Sequence, residues 1–375
     1  MNELEKIRSI YIFKRIFDLV IYKIELKVLK YNKNLQKKLS LSIEDYKKLS
    51  GRYIIYVGKE YDSTDKKLIF EGEYIKGERN GVGKEFDKKG NMVFFGEFKN
   101  GKRDGKGKEF DTNSKKLTWN NDGLYYNIGN LKFEGEYKNG ERSGKGKEYS
   151  NSKLIFKGSY KKGNRNGKGK EICDDEGFTF EGEFLDGKRN ALGKEFLNGK
   201  LRFEGLYKNG KKHGLGKELY DDGGIEFKGS YLNGERSGFG KEYYKGGSIR
   251  FEGKYLKGKR NGNGKEYLDI KLLSRFSEDE KDKKYIPLIF EGEFLNGVKN
   301  GKGKEYYYDD KIIKFEGKYL NGKRSGKGKE YNEFGQLVFE GEFKDGKKNG
   351  KGSVYKNNKI LYKANYVDDH LEYMS

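Results

Sequence analysis

Residues 70–86 read FEGEYIKGERNGVGKEF, and this seventeen-residue template recurs along the 375-residue chain. Further copies begin at Phe94, Phe133, Phe156, Phe180, Phe203, Phe227, Phe251, Phe290, Phe315 and Phe339. Most copies start 23 to 25 residues after the previous one, and two start 39 residues after it. A fixed period of this length indicates stacked repeats, and it takes priority over any single motif.

The repeat array is predicted to span residues 51–371, behind a separate basic segment at 1–50. Insertions at 111–132 and 268–289 account for the two longer spacings. The first insertion is interpreted as a decayed hairpin or an extended loop, and the second as a solvated loop. The full copies lie at 70–86, 94–110, 133–149, 156–172, 180–196, 203–219, 227–243, 251–267, 290–306, 315–331 and 339–355, and a degenerate copy lies at 362–371.

The template alternates aromatic or small residues with charged ones. In the third copy, Phe133, Gly135 and Tyr137 occupy template positions 1, 3 and 5, with glutamates between them. Such a period of two is typical of a strand with one apolar and one wet face. Residues 138–144 are rich in Gly and Asn, which favour turns, and residues 146–149 resume as a second strand. Each copy is therefore predicted to be a β-hairpin, and successive hairpins to join as an antiparallel meander.

The composition sets the size of the core. Only 33% of residues are hydrophobic, while the chain has 55 glycines, 30 tyrosines, 25 phenylalanines and one proline. This profile excludes a large multi-layer core and a collagen helix. Three buried rings per copy stabilise far less than the ordering of 24 residues costs, so the copies must stack on one another. The expected fold is all-β, an elongated antiparallel meander of about twelve stacked β-hairpins with a small N-terminal α-helical segment. The rings expected to form its core include Phe70, Tyr74, Phe133, Tyr137, Phe180, Phe184, Phe251, Tyr255, Phe315 and Tyr319.

These copies resemble the MORN repeat, whose usual form is Y-x-G-x-[WY]-x-x-G-x-x-x-G-x-G. Residues 210–216, GKKHGLG, match its common histidine variant. The resemblance covers residues 51–371, and the chain departs from the family pattern only in having Phe or Tyr where Trp is frequent. MORN arrays occur fused to lipid kinases and protein methyltransferases, for which this chain leaves no room. The resemblance therefore implies a non-enzymatic MORN-repeat scaffold.

The N-terminal segment carries 12 basic and 6 acidic residues within positions 1–50. Its residues Ile10, Phe13, Phe17, Val20 and Ile24 fall near helical spacing, which predicts an amphipathic helix, while residues 21–28 also alternate as a strand would. Three roles stay open for it: a cap on the first hairpin, a membrane-surface or partner-binding helix, or an F-box-like segment.

No residue pattern indicates catalysis, a cofactor or a metal. Gly-x-Gly-Lys-Glu recurs, but a phosphate-binding loop needs Ser or Thr after its Lys and a helix after that. The glutamates repeat identically from copy to copy, whereas acid–base chemistry needs carboxyls in unlike environments. One cysteine, Cys173, and two histidines exclude a Cys/His zinc cluster. The chain also lacks an apolar run long enough to span a membrane or a signal-peptide pattern, so a cytoplasmic protein is expected.

Template position 10 is basic in all eleven copies, within a formal net charge of +22. The residues are Arg79, Arg103, Arg142, Arg165, Arg189, Lys212, Arg236, Arg260, Lys299, Arg324 and Lys348. Stacked hairpins would align them along one edge, where they are candidates for contact with an anion or a lipid headgroup. The alternative is that they are solvated turn residues that discourage aggregation. Lysine at position 15 is followed by glutamate at position 16 in ten copies, and these two charges are expected to balance locally.

The sequence thus predicts a protein-interaction scaffold, with protein partners, that self-associates as a lateral or an end-to-end homodimer. The alternative is a peripheral membrane protein that contacts anionic phospholipids such as phosphoinositides through position 10. Nucleic acid is disfavoured because the aromatic residues are needed for the core. The expected location is cytoplasmic, at a membrane or the cytoskeleton, and richness in Lys, Asn, Ile and Tyr indicates an AT-rich eukaryotic genome.

Overall fold

The computed structural model describes residues 56–64, 66–112, 116–119, 125–173, 177–269, 287–308 and 312–372. These residues form β-strands and turns, and no α-helix occurs among them. The N-terminal helix predicted within residues 1–50 lies outside the described residues, as does most of the 268–289 insertion. The chain divides into two compact units, Met1–Asn164 and Arg165–Ser375.

Unit 1 is an antiparallel meander with one inserted hairpin. Its strands are β1 (Tyr56–Tyr61), β2 (Leu68–Ile75), β3 (Glu78–Phe86), β4 (Asn91–Lys99), β5 (Lys102–Phe110), β6 (Lys116–Trp119), β7 (Tyr125–Ile128), β8 (Leu131–Lys138), β9 (Glu141–Ser150) and β10 (Lys153–Lys161). Strands β6 and β7 form a small hairpin within the 111–132 insertion, and β7 pairs in parallel with β4. Strand β5 pairs directly with β8, so the insertion leaves the order of the repeats unchanged.

Unit 2 continues the same pattern, with every neighbouring pair antiparallel. Its strands are β11 (Asn164–Cys173), β12 (Phe178–Leu185), β13 (Lys188–Leu197), β14 (Lys200–Lys208), β15 (Lys211–Leu219), β16 (Ile225–Leu232), β17 (Glu235–Tyr243), β18 (Ile249–Leu256), β19 (Lys259–Tyr267), β20 (Leu288–Leu295), β21 (Val298–Tyr306), β22 (Ile313–Leu320), β23 (Lys323–Tyr331), β24 (Leu337–Lys344), β25 (Lys347–Lys356), β26 (Lys359–Val367) and β27 (His370–Leu371). The predicted all-β meander of stacked hairpins is confirmed.

Each hairpin closes with a two-residue turn at template positions 7 and 8. In the third copy Asn139 has φ 50° and Gly140 has φ 92°, and all eleven copies have positive φ at both positions. Two successive positive φ values identify a type I′ turn, whose twist matches that of the flanking strands. Position 12 also has positive φ and is glycine in every copy except the one with Ala191, at φ 54°.

The strand register separates the template into two faces, because directly opposed residues point to the same side of a sheet. In the first copy Phe70 lies opposite Glu85, and Tyr74 lies opposite Arg79. Positions 1, 3, 5, 10, 14 and 16 therefore share one face, which we call the aromatic face. Positions 2, 4, 6, 13 and 15 share the other, which we call the open face.

The core is a single row of phenylalanines along the aromatic face. Phe251, at position 1, is 0% exposed. A Cβ added to Gly253 or Gly264 would lie 2.7 Å or 2.4 Å from its ring carbon Cζ. The ring thus rests directly on the backbone of positions 3 and 14, which explains why both are glycine in this copy. All ten aromatic residues singled out from the sequence are buried, at 0–9% exposure.

Neighbouring rings meet edge to face. Phe251 contacts Tyr255 of its own copy at 5.7 Å between ring centroids, with an interplanar angle of 89°. It also contacts Phe294 of the next copy at 5.2 Å and 84°. Each such pair contributes about 0.5–1.5 kcal/mol beyond area burial. The rings therefore form a continuous stack within each unit, because the position-1 phenylalanine of one copy contacts the position-5 ring of the next copy.

Gly216→Ala is expected to lower the free energy of unfolding by about 1–3 kcal/mol, because the new Cβ would overpack the core. That Cβ would lie 2.6 Å from Cζ of Phe203 and 3.2 Å from Cε2 of Tyr231. Urea unfolding of the two proteins measures the change. Gly224→Ala is the matched control, since its nearest neighbours are the Asp222 carboxylate at 3.2 Å and the Lys245 carbonyl at 3.8 Å. Equal losses in the two variants would contradict the ring-on-glycine account.

Candidate functional site

The eleven cations at position 10 lie on the aromatic face rather than in open solvent. In ten copies the guanidinium carbon or the ammonium nitrogen lies 4.0–4.5 Å from the centroid of the position-1 phenylalanine. This distance is within the range of cation–π contacts, worth about 0.5–2 kcal/mol each. The cation therefore covers the side of the ring opposite the two glycines.

Carboxylates at position 16 hold each cation in place, as Arg260 illustrates. Its Nη1 donates to Glu266 Oε1 of its own copy at 2.6 Å. Its Nη2 donates to Glu242 of the preceding copy, and Tyr255 Oη donates to the same carboxylate at 2.8 Å. One glutamate thus joins the arginine and the tyrosine of the following copy, so the ion pairs connect successive repeats.

The same ladder of ion pairs runs through each unit. The pairs between a cation and the preceding copy are Arg79–Glu60, Arg103–Glu85 and Arg142–Glu109 in unit 1, and Arg189–Glu171, Lys212–Glu195, Arg236–Glu218, Arg260–Glu242, Lys299–Glu266, Arg324–Glu305 and Lys348–Glu330 in unit 2. Arg165 pairs with Glu171 of its own copy at 3.0 Å. The ladder of unit 2 ends at Glu330, because position 16 of the last copy is Val354.

This arrangement shows what the cations do in the chain itself. Their side chains are 15–29% exposed, and each one is engaged by at least one carboxylate. Contact with an anionic lipid stays a prediction, and it would require the cation to exchange a glutamate for a phosphate. The sequence-based reasoning missed position 16 as the partner of position 10, because it balanced the position-16 glutamate against the lysine at position 15. Adjacent strand residues point to opposite faces.

Lysine at position 15 instead pairs with glutamate at position 2 on the open face. Lys217 Nζ lies 3.0 Å from Glu204, and Lys241 Nζ lies 2.9 Å from Glu252 of the following copy. The open face is thus a ladder of exposed ion pairs, which stabilise little individually. Its charges stay accessible to a partner.

Four of the position-16 carboxylates have a pKa lowered by their arginine partners. Burial acts to raise the pKa of Glu242, but the hydrogen bond from Arg260 and its positive charge outweigh burial and hold the pKa below the ordinary 4.5. Burial also acts to raise the pKa of Glu109, Glu218 and Glu305, and the hydrogen bond and charge of an arginine partner again outweigh it and lower the pKa. Burial and the negative charge of Glu242 raise the pKa of the Tyr255 hydroxyl. These glutamates are therefore ionised structural partners at neutral pH.

A groove crosses the open face of unit 2 from β17 to β23. Its volume is about 760 Å³. The backbone of the position-3 and position-14 glycines, such as Gly292 and Gly303, forms its floor. Side chains of positions 2 and 15 line it on one side and those of positions 4 and 13, such as Phe239 and Lys318, on the other.

Sequence reasoning also missed the exposed apolar side chains beside this groove. Position 13 is lysine in six copies but becomes Leu192, Leu215 and Phe239 in three consecutive copies of unit 2. The register places these side chains on the open face. The departure from lysine is visible in the sequence, but its meaning depends on knowing which face position 13 occupies.

Two findings concern chemistry and membranes. Among the described residues, no cluster of three or more His, Cys, Asp or Glu side chains is arranged to hold a metal ion. In the same part of the chain, no helix has the length and apolar character of a membrane span. Cys173 is exposed. The groove of the open face is the candidate site because it is a concave surface lined by exposed charged and apolar side chains.

Arg260→Ala is expected to lower the free energy of unfolding by about 1–3 kcal/mol, because it removes one cation partner from each of two part-buried carboxylates, Glu242 and Glu266, and uncovers the Phe251 ring. Arg260→Lys is the matched control and should cost less than about 1 kcal/mol, since three other copies carry lysine at position 10. Urea unfolding measures both. A lysine variant as unstable as the alanine variant would contradict the covering role.

Glu242→Gln is expected to destabilise the protein at pH 7 and to lose this effect in acid. A carboxyl whose pKa is lowered by folding adds stability that is complete above its unfolded pKa of 4.5 and is lost as the pH falls through the folded value. The difference in urea midpoint between wild type and variant should therefore shrink below about pH 4.5. Glu235→Gln, at an exposed residue beside the turn, is the control and should leave the midpoint unchanged at each pH. A difference that persists at pH 3 would contradict this assignment.

The comparisons with known proteins agree with this geometry. The family model described as MORN repeat matches eleven segments that together cover more than half of the chain. These are residues 70–92, 94–115, 133–153, 156–178, 180–200, 203–225, 227–249, 251–269, 290–311, 315–332 and 339–358. No curated protein matches the chain. With hairpins, glycines and aromatic positions recurring in all eleven segments, the chain belongs to the MORN repeat family.

Proposed function

We propose that this protein is a scaffold that binds partner proteins on its open face. MORN repeats form repeat scaffolds associated with protein and membrane-lipid interactions, and they are generally non-enzymatic. The observation that carries the proposal is the different use of the two faces. The side chains of the aromatic face are engaged within the fold, since its rings, cations and carboxylates contact one another in copy after copy.

The open face has exposed positions whose residue type is not fixed by the strand pairing. Position 13 holds Val82, Lys145, Leu215, Phe239 or Asn263 in different copies without any change in strand pairing. Position 4 varies among Glu, Ser, Leu and Lys in the same way. A surface whose residues can differ while the strand pairing stays constant is suited to recognition of particular partners. An extended sheet face also provides contact area without a deep pocket.

The remaining expectations about partners stay proposals. Membrane contact draws support from the net charge of +22, but the position-10 cations are already paired with glutamates. Self-association and a cytoplasmic location, at a membrane or the cytoskeleton, draw their support from the sequence. The open face offers more unpaired surface than the position-10 row does, and protein binding is therefore the function that the geometry favours.

Photo-crosslinking tests the scaffold function directly. A benzoyl-phenylalanine at Phe239, which is 56% exposed, or at Val82, which is 44% exposed, should form discrete protein adducts in cells that express the chain. The matched control is the same replacement at Phe334, which is 77% exposed but lies in the loop between β23 and β24.

Two outcomes would contradict the proposal. One is the absence of discrete adducts at both open-face positions, or the same adducts at Phe334. The other is binding to phosphoinositide vesicles that is lost when Arg142, Arg165, Arg189 and Arg236 become serine, with no protein adducts. That result would favour the membrane hypothesis instead.

A further inference from the structure

An exposed apolar patch lies on the open face of unit 2. Leu192, Leu206, Leu215 and Phe239 are 54%, 39%, 68% and 56% exposed, and they lie on β13, β14, β15 and β17. Leu192 is directly opposite Leu206, so the two side chains are cross-strand neighbours. We call these four residues the apolar patch.

The fold does not require this patch. The same row, formed by positions 4 and 13, pairs Lys106 with Glu136 in unit 1 and Lys327 with Glu342 further along unit 2. Those charged pairs keep the same register as the leucines. Adjacent exposed leucines are unfavourable in water, and contiguous patches of this kind mark interaction sites. Position 6, the next row on the same face, adds half-exposed leucines along unit 2: Leu185, Leu232, Leu256, Leu295 and Leu320.

Beyond the apolar patch the row is mainly basic, with one acidic residue, Glu293, before Lys302. Lys254, Lys302 and Lys318 are exposed, and none of the three forms an ion pair within the described residues. Lys302 lies directly opposite Lys318. Like charges directly opposite each other destabilise a sheet, whereas most copies avoid this arrangement. We call these three residues the basic end. A negatively charged group between Lys302 and Lys318 would relieve their repulsion.

The groove connects the two features. It runs across the strands from Phe239, which belongs to the apolar patch, past Lys302 and Lys318 of the basic end. Glycine backbone forms its floor, so an elongated ligand can approach the sheet closely between the flanking rows. The groove therefore presents the apolar side chain of Phe239 at one end and Lys302 and Lys318 at the other, with Glu293 between them.

We infer that this groove, together with the apolar patch that continues its row of position-4 and position-13 side chains to β13, binds an amphipathic helix of a partner protein, with apolar side chains on the apolar patch and acidic side chains on the basic end. This inference rests on the proposed scaffold function and specifies its ligand. A helix is the form that fits, because the groove lies on a face of the sheet and offers no free strand edge. An extended peptide there would leave its backbone groups unpaired, while a helix satisfies them internally.

The spacing of the strands sets the length of the helix. From β13, which carries Leu192, to β22, which carries Lys318, there are nine strand steps. At about 4.8 Å per step this is about 43 Å, or about 29 helical residues at 1.5 Å each. Apolar residues spaced i, i+3, i+4 and i+7 would fill one half of the ligand, and acidic residues would occupy the other half.

A displayed library of helical peptides of about 29 residues, randomised among Leu, Phe, Ala, Glu and Lys on one face, tests the inference. Selection on the full chain should enrich peptides with a Leu/Phe half and a Glu half. Affinity of the best peptide is then measured by fluorescence anisotropy. It should fall at least about tenfold in the double variant Leu215→Lys with Phe239→Lys, and by a similar factor in Lys318→Glu.

These variants are chosen so that the fold survives, since lysine at position 13 and glutamate at position 4 occur in other copies. Lys145→Glu, the same charge change at the open face of unit 1, should leave the affinity unchanged. Enrichment of basic peptides, absence of any enriched peptide, or indifference to the groove variants would overturn the inference. A homodimer that dissociates on Leu215→Lys would also overturn it, by making a second copy the occupant.

The outcomes separate the two proposals. Protein adducts at Val82 together with a failed peptide selection would leave the scaffold function standing and remove the helix-binding groove. Failure of adducts at every open-face position would remove the scaffold function itself.

Discussion

The architecture of the described residues depends on enclosing a phenylalanine ring against a single layer of sheet. Two glycines provide the floor beneath Phe251, the rings of Tyr255 and Phe294 close its edges, and Arg260 covers its outer surface. The arginine takes the place of the second layer that an ordinary domain would supply. Once a cation is used as a cover, carboxylates must hold it, and this requirement fixes positions 10 and 16 in turn. A low hydrophobic content is therefore compatible with a fully buried ring row.

Much of this fold could be predicted from the sequence. The features that could not be predicted all depend on strand register. Alternation through Phe133 and Tyr137 and the Asn–Gly turn at Asn139 identify the strands and the hairpin, because both signals are local. The pairing of Arg260 with Glu242 is not local. It depends on the register of the hairpins, which shifts between Gly253 and Tyr255. The candidate groove was missed for the same reason, since the exposure of Phe239 follows from register and face rather than from its neighbours in sequence.

The two faces differ in how strongly the fold constrains their residues. On the aromatic face a change at one position disturbs several partners, because Glu242 contacts Arg236, Arg260 and Tyr255. On the open face the side chains at positions 4, 6 and 13 are exposed, and the strand pairing does not depend on their residue type. Leucine can replace lysine there at Leu215 while the strands keep their register. The open face of this chain can therefore differ from copy to copy without a change in the fold.

The ion-pair ladder also gives the array a direction. Within each unit a copy presents a carboxylate to the copy that follows and pairs with its cation, from Glu60 to Glu109 in unit 1 and from Glu171 to Glu330 in unit 2. At the last copy Val354 stands where the next acceptor would be, and Tyr362 lies opposite it. A further repeat placed after this copy would bring a cation with no anion to receive it. The junction between β25 and β26 therefore lacks the ion pair that joins the preceding copies of unit 2.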